Sequence, residues 1–347
     1  MCGNLCVRIT LIAVLIAQPL PCLDVRGAGD DYVVVEYGAQ VLSRISVDGD
    51  RILLYRFREG TWPRSVVVDS VGNFIVTELL ADVLSKITSD GRRSVIYQFS
   101  RGTIPDSVAI DSEGNYIVTE GGVNLLSRIT PNGTRTVVYR FSGWTWAAGI
   151  AVDFRGDYIV AESGADVLSR ITPNGTRTVL YRFGGGWGDT WPLGVAIDRV
   201  GNYIVTEYNA QMLSRVTPDG ERTMIYRFAA STYPAGVAID SEGNCIVAEL
   251  LVNVLSRITP SGTRTVIHAY AASTSPSDIK VVPSAPSFRV KGSAATFWFG
   301  VVSVSLLLTA AIGSMFHNER SRKKRTQKSR KMPNSSRHMF GVFSYET

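Results

Sequence analysis

The chain has 347 residues, 45% apolar and 19% charged, which excludes a disordered chain; 32 glycines without a three-residue period exclude collagen, and four cysteines are too few for a disulfide scaffold. The net charge of +6 belongs to one end, because residues 317–347 carry nine basic and two acidic side chains and leave −1 for everything before them. A nucleic-acid partner for the body thereby loses its electrostatic support.

Residues 1–22 read as a secretory signal. Arg8 precedes an uncharged apolar stretch, Ile9–Ala17, and Gln18-Pro19-Leu20-Pro21-Cys22 breaks the helix; an uncleaved anchor is the alternative. Cys2, Cys6 and Cys22 lie in or beside this segment. An exported body keeps Cys245, or Cys22 as well, so no internal disulfide is expected and the body must stand on packing. Cys245 fills a position where other repeats carry Tyr or Phe, and so reads as a buried apolar residue.

Residues 30–282 are one repeat used six times. Asn115-Tyr-Ile-Val-Thr-Glu120 recurs with closing glutamates at Glu36, Glu78, Glu120, Glu162, Glu207 and Glu249, spaced 42, 42, 42, 45 and 42 residues apart. Each unit predicts four short strands, of which Ser107–Asp111, Tyr116–Glu120, Leu125–Thr130 and Arg135–Phe141 are one set. Tight turns join them, and Asn132-Gly133 between β-branched runs is a hairpin signal. The strands are nearly continuous in apolar character, which predicts cover on both faces of each small sheet. Four strands per repeat is a propeller blade. The first copy, at Asp31, lacks a first strand, whereas the last runs on to Pro276–Val282, which aligns with the first strand Pro234–Asp240. The C-terminal strand is thus predicted to complete the N-terminal blade, and the expected fold is an all-β, six-bladed β-propeller of four-stranded blades.

Beyond a linker at 283–293, residues 294–316 form an uncharged run long enough to span a bilayer core of about 30 Å as one helix. Phe297-Trp298-Phe299 suits an interface, and the basic cluster Arg320–Lys331 in the tail 317–347 follows at once. Positive charge stays inside. The expectation is a single-pass protein of the cell membrane, with an extracytoplasmic propeller and a cytoplasmic tail whose cations meet anionic lipid headgroups.

Gly236-Val-Ala-Ile-Asp-Ser-Glu-Gly-Asn244, followed by an Ile-Val-Ala-Glu strand, resembles an NHL repeat. The Val-Thr-Glu…Ser-Arg-Val-Thr-Pro-Asp-Gly order at 205–220 is closer still to the repeats of streptogramin (virginiamycin B) lyases, with gluconolactonase-like propellers more distant. The resemblance covers roughly residues 30–282. It implies a propeller and, for a lyase, a histidine general base in a Pro-His segment opening a first strand, with a glutamate and a divalent metal nearby. That slot holds Pro63-Arg64, Pro105-Asp106, Ala147-Ala148, Pro192-Leu193, Pro234-Ala235 and Pro276-Ser277, none of them histidine. The body's one histidine, His268, sits in an outermost strand where Tyr226 stands elsewhere, and reads as a surface or packing residue. The reading is therefore a binding module rather than an enzyme, with a metal-dependent lyase or lactonase-like enzyme as the alternative.

The six repeated glutamates could form a ring for a divalent cation. Each copy also has a cation in its next strand: Arg44, Lys86, Arg128, Arg170, Arg215 and Arg257. The simpler expectation is a repeated structural ion pair and no cofactor. Loops leading into first strands share a threonine at Thr61, Thr103, Thr145, Thr190, Thr232 and Thr274, followed by Trp62, Ile104, Trp146, Trp191, Tyr233 and Ser275. The one longer loop adds Trp187, and Trp144 stands nearby. Trp62, Trp144, Trp146, Trp187, Trp191 and Tyr233 are thus candidate ligand contacts, an aromatic platform for a glycan, peptide or surface protein; rings that plug the mouth are the alternative. Asn132-Gly-Thr134 and Asn174-Gly-Thr176 are also glycosylation sequons.

Overall fold

The computed structural model describes residues 23–25, 29–184, 189–284 and 288–290. The chain divides into two compact units, one spanning Gly27–Ala285 and one made of the two chain ends. Of the second unit, only an antiparallel ribbon is described, Leu23–Val25 against Phe288–Val290. The signal expected at 1–22, the apolar run 294–316 and the tail 317–347 lie outside the described residues, as does Trp187. Among the described residues no helix is long and apolar enough to cross a membrane.

Gly27–Ala285 folds as six four-stranded antiparallel sheets. In the third blade the strands Pro105–Ile110, Tyr116–Glu120, Leu125–Ile129 and Arg135–Arg140 lie in that order from one edge to the other. Tyr116–Glu120 is buried at every position, and Arg135–Arg140 is the most exposed strand. Burial on both faces explains the unbroken apolar runs, because each blade is packed between two others. Ile117 and Leu126 of this blade pack with Ile150, Tyr158 and Val160 of the next.

Turn chemistry sets the register. Asp111 Oδ1 accepts the backbone N–H of Glu113 (3.0 Å) and of Asn115 (2.8 Å), closing the first hairpin. In the second hairpin Gly133 has φ +85°, and a Cβ there would lie 2.7 Å from the Ile96 carbonyl of the preceding blade, so the position needs glycine on two grounds.

Ring closure follows the predicted plan. Pro276–Pro283 pairs with Asp30–Glu36 along its whole length and supplies the inner strand of the first blade. In every blade the lead-in loop and the loop between second and third strands open on one mouth of the ring. The two tight turns open on the other.

Candidate functional site

The loop mouth is built from a repeated latch. Trp62, Ile104, Trp146, Trp191, Tyr233 and Ser275 all have φ between 45° and 57°, an unfavourable region for residues with a side chain. The preceding blade holds them there. Asp82, Asn124, Asp166, Gln211 and Asn253 accept the backbone N–H of Ile104, Trp146, Trp191, Tyr233 and Ser275 at 2.7–3.0 Å. In the remaining copy Gln40 accepts from Thr61 at 3.2 Å and from Trp62 at 3.5 Å. The threonines tie the same turn internally, as when Thr145 Oγ1 donates to the Ser142 carbonyl at 2.8 Å. The loops are therefore fixed, and what varies is the side chain each one presents.

Those side chains break the sixfold symmetry. Trp146 and Trp191 pack with Tyr208 and Leu250 over Ala148, Leu193 and Ala235. Tyr233 lies against Tyr208 with ring centroids 4.7 Å apart, and Trp62 against Tyr37 at 4.7 Å. All four lead-in rings are half-buried, whereas Trp144 is 70% exposed. Tyr37 and Tyr208, each directly after a repeated glutamate, belong to this mouth and were not among the candidates. Burial raises both phenol pKa values, and the positive field of Arg64 opposes the rise in each.

Below the rings, the slot where the resemblance implies a histidine is half polar and half apolar. Arg64 Nε donates to Asp106 Oδ1 at 2.9 Å, and Trp146 Nε1 donates to Asp106 Oδ2 at 3.1 Å. Burial opposes the charge on Arg64, but Asp106, helped by Tyr37 and Asp278, offsets it, and the guanidinium pKa is raised. Ser277 Oγ donates to the Arg64 carbonyl, and Asp278 accepts from Ser65 Oγ at 2.7 Å and from Val66 N–H at 2.9 Å. Across the channel the slot holds Ala148, Leu193 and Ala235. There the inner strands crowd together: a Cβ on Gly149 would sit 2.0 Å from the Leu193 carbonyl. The channel between is a cavity of about 30 Å³.

The glutamates form structural pairs, but the partner is not the one expected. Glu36, Glu78, Glu120, Glu162, Glu207 and Glu249 are at most 2% exposed. They receive Arg51, Arg93, Arg135, Arg177, Arg222 and Arg264, which begin the fourth strands, at 2.5–2.7 Å. Strand parity is the reason. Glu162 is opposite Val167, so Ser169 shares its face and Arg170 takes the other. Glu162, Ser169 and Arg177 then run diagonally across three strands, with both Ser169 Oγ and the guanidinium donating to Glu162. Arg170 donates instead to Tyr203 Oη of the next blade at 2.9 Å and faces Asp153 and Asp157. Arg44 pairs with Asp31 at 2.7 Å, and Arg128, Arg215 and Arg257 face Asp111, Asp198 and Asp240. Among the described residues no three of His, Cys, Asp and Glu group as metal ligands.

His268 Nδ1 lies 2.7 Å from the Gly49 carbonyl, and its ring packs edge-on against Tyr270, so it bridges the sixth and first blades at the outer rim. Cys245 is a buried free thiol whose pKa burial pushes up to about 12.

No protein-family model matches the chain, and no curated protein matches it. Among solved structures, virginiamycin B lyase from Staphylococcus aureus is similar at 23% identity and TM-score 0.55, covering 64% of this chain and 74% of that one. A streptogramin B lyase matches at 17% identity and TM-score 0.59, covering 74% of this chain and 89% of that one. A chain of a nidogen/laminin complex matches at 13% identity and TM-score 0.63, covering 74% of this chain and 98% of that one. At these identities the likeness is one of fold.

Proposed function

We propose that the chain is a binding module held at the cell membrane by the apolar run 294–316, with the propeller outside and the basic tail on the cytoplasmic lipid surface. Its partner is an extended peptide or the surface of a protein, received on the loop mouth. The observation that carries this reading is a set of exposed apolar side chains on the loops of that mouth: Trp144 at 70%, Leu80 at 56% and Leu251 at 52%, with Val123 and Val252. They surround the half-buried aromatic rings and the Arg64–Asp106 pair. Rigid aromatics beside a buried charge pair give contact area and orientation at low entropic cost. One propeller of similar fold is a member of a nidogen/laminin complex, a protein–protein assembly. The lyase alternative has the fold likeness in its favour, but the implied histidine slot holds Arg64, Asp106, Ala148, Leu193, Ala235 and Ser277.

The test is a titration of tryptophan fluorescence against a panel of peptides, proteins and glycans. We expect saturable quenching by a peptide or protein. It should weaken at least tenfold in Trp144→Ala and Leu251→Ala, both exposed, with melting curves checking that each variant folds. A response confined to glycans, or variants that bind like the parent, would overturn the reading.

A further inference from the structure

The opposite mouth holds a second cavity of different character. Two rings of inner-strand residues line it. The rim is β-branched at every blade: Val68, Ile110, Val152, Ile197, Ile239 and Val281. The ring beneath is Val67, Ala109, Ala151, Ala196, Ala238 and Lys280. Five blades thus place a small apolar side chain at this level, and the sixth places a lysine. Four alanines leave the space open, and the cavity measures about 400 Å³, within the range of small-molecule sites.

Lys280 and Arg64 are the two cations of the inner strands, and they differ. Arg64, one blade away, is neutralised by Asp106. Lys280 has no ion pair or hydrogen bond among the described residues, and it lines both this cavity and the narrow channel above it. The nearest carboxylate in sequence, Asp278, is occupied by Ser65 Oγ and the Val66 N–H. The closing strand that brings Lys280 here aligns with Pro234–Ile239, where the same position is Ala238. A lone ammonium at the floor of a funnel whose other side chains are all apolar is a recognition element for one anionic head on an apolar body. A phosphate or a polyanion would call for a second cation, and the side chains of the lining supply only Lys280.

We infer that this funnel binds a small amphipathic monocarboxylate, its carboxylate on Lys280 Nζ and its alkyl or aryl body against the alanine and β-branched rings. The site lies on the face opposite the loop mouth and stands independently of the binding role proposed above.

The probe is octanoate, titrated calorimetrically into the full chain held in lipid nanodiscs, with empty discs as the blank and octan-1-ol as the uncharged control. We expect one octanoate per chain, bound about tenfold more tightly than octan-1-ol, the preference expected of a charge-assisted hydrogen bond. Lys280→Met should abolish that preference and leave octan-1-ol binding unchanged. Ala196→Trp, which fills the funnel, should remove both ligands. Melting curves check that each variant folds, with Lys280→Gln as the substitute should Lys280→Met fail to do so. Equal octanoate affinity in the parent and the folded Lys280 variant would overturn the inference, as would no octanoate uptake by the parent. Octanoate binding that survives Ala196→Trp would overturn it too.

Discussion

Replacing Glu162 by glutamine tests the repeated ion pair at one of its buried copies. Glu162 is 2% exposed and accepts two bonds from Arg177, at 2.6 and 2.8 Å, and a third from Ser169. Glutamine keeps the shape but removes the charge and turns one acceptor into a donor that faces other donors. Breaking a fully buried pair costs about 3–5 kcal/mol. The Arg177 side chain is 23% exposed and can regain some water, so we place the cost of Glu162→Gln at about 2–3 kcal/mol. For a domain of roughly 150–250 residues this lowers Tm by about 5–10 °C. Arg170→Ala, by contrast, loses one hydrogen bond to a phenol and two longer carboxylate contacts, for about 1 kcal/mol. Thermal melts of Glu162→Gln, Arg177→Met and the double variant form a cycle whose coupling should be about 1–3 kcal/mol. Additive effects, or an Arg170→Ala loss larger than that of Glu162→Gln, would refute the diagonal pairing.

Truncation before Pro276 removes the inner strand along Asp30–Glu36 and bares Tyr32 and Val34; calorimetry should show a cost of at least about 5 kcal/mol or the loss of a cooperative transition. Cys245, with its pKa near 12, should resist iodoacetamide at pH 8 in the folded protein and label fully in denaturant. Protease added to intact cells should remove the propeller and spare the basic tail. Elemental analysis separates the two functional readings, since a metal-dependent lyase requires a stoichiometric divalent ion and the binding module requires none.

The blades were legible because the 42-residue period, the Asn-Gly turns and the mismatched ends each report local geometry. The glutamate partner was misread for want of one further step. A hairpin that sets Glu162 opposite Val167 places Ser169 on the same face and Arg170 on the other, and that parity is contained in the spacing. The mouth was legible at Trp146 and Trp191, because they follow a repeated threonine in a column that varies between blades. Tyr37 and Tyr208 carry no such signal, because their column also holds Leu79, Gly121, Ser163 and Leu250, and only the ring contacts with Trp62 and Tyr233 place them at the mouth. The polar slot and the Lys280 funnel arise from columns of the inner strand that vary between blades. Reading them required knowing that those six positions converge on one axis, which only ring closure establishes.

The most direct test of the binding role is a hydrogen-exchange footprint of the full chain with and without the peptide or protein that quenches its tryptophans. The account predicts added protection on the loop mouth, at residues 79–82, 121–124, 143–146 and 250–253, and no change at the tight turns 69–73 and 111–115. Protection at those turns, or none at the loops around Trp144 and Trp146, would contradict it.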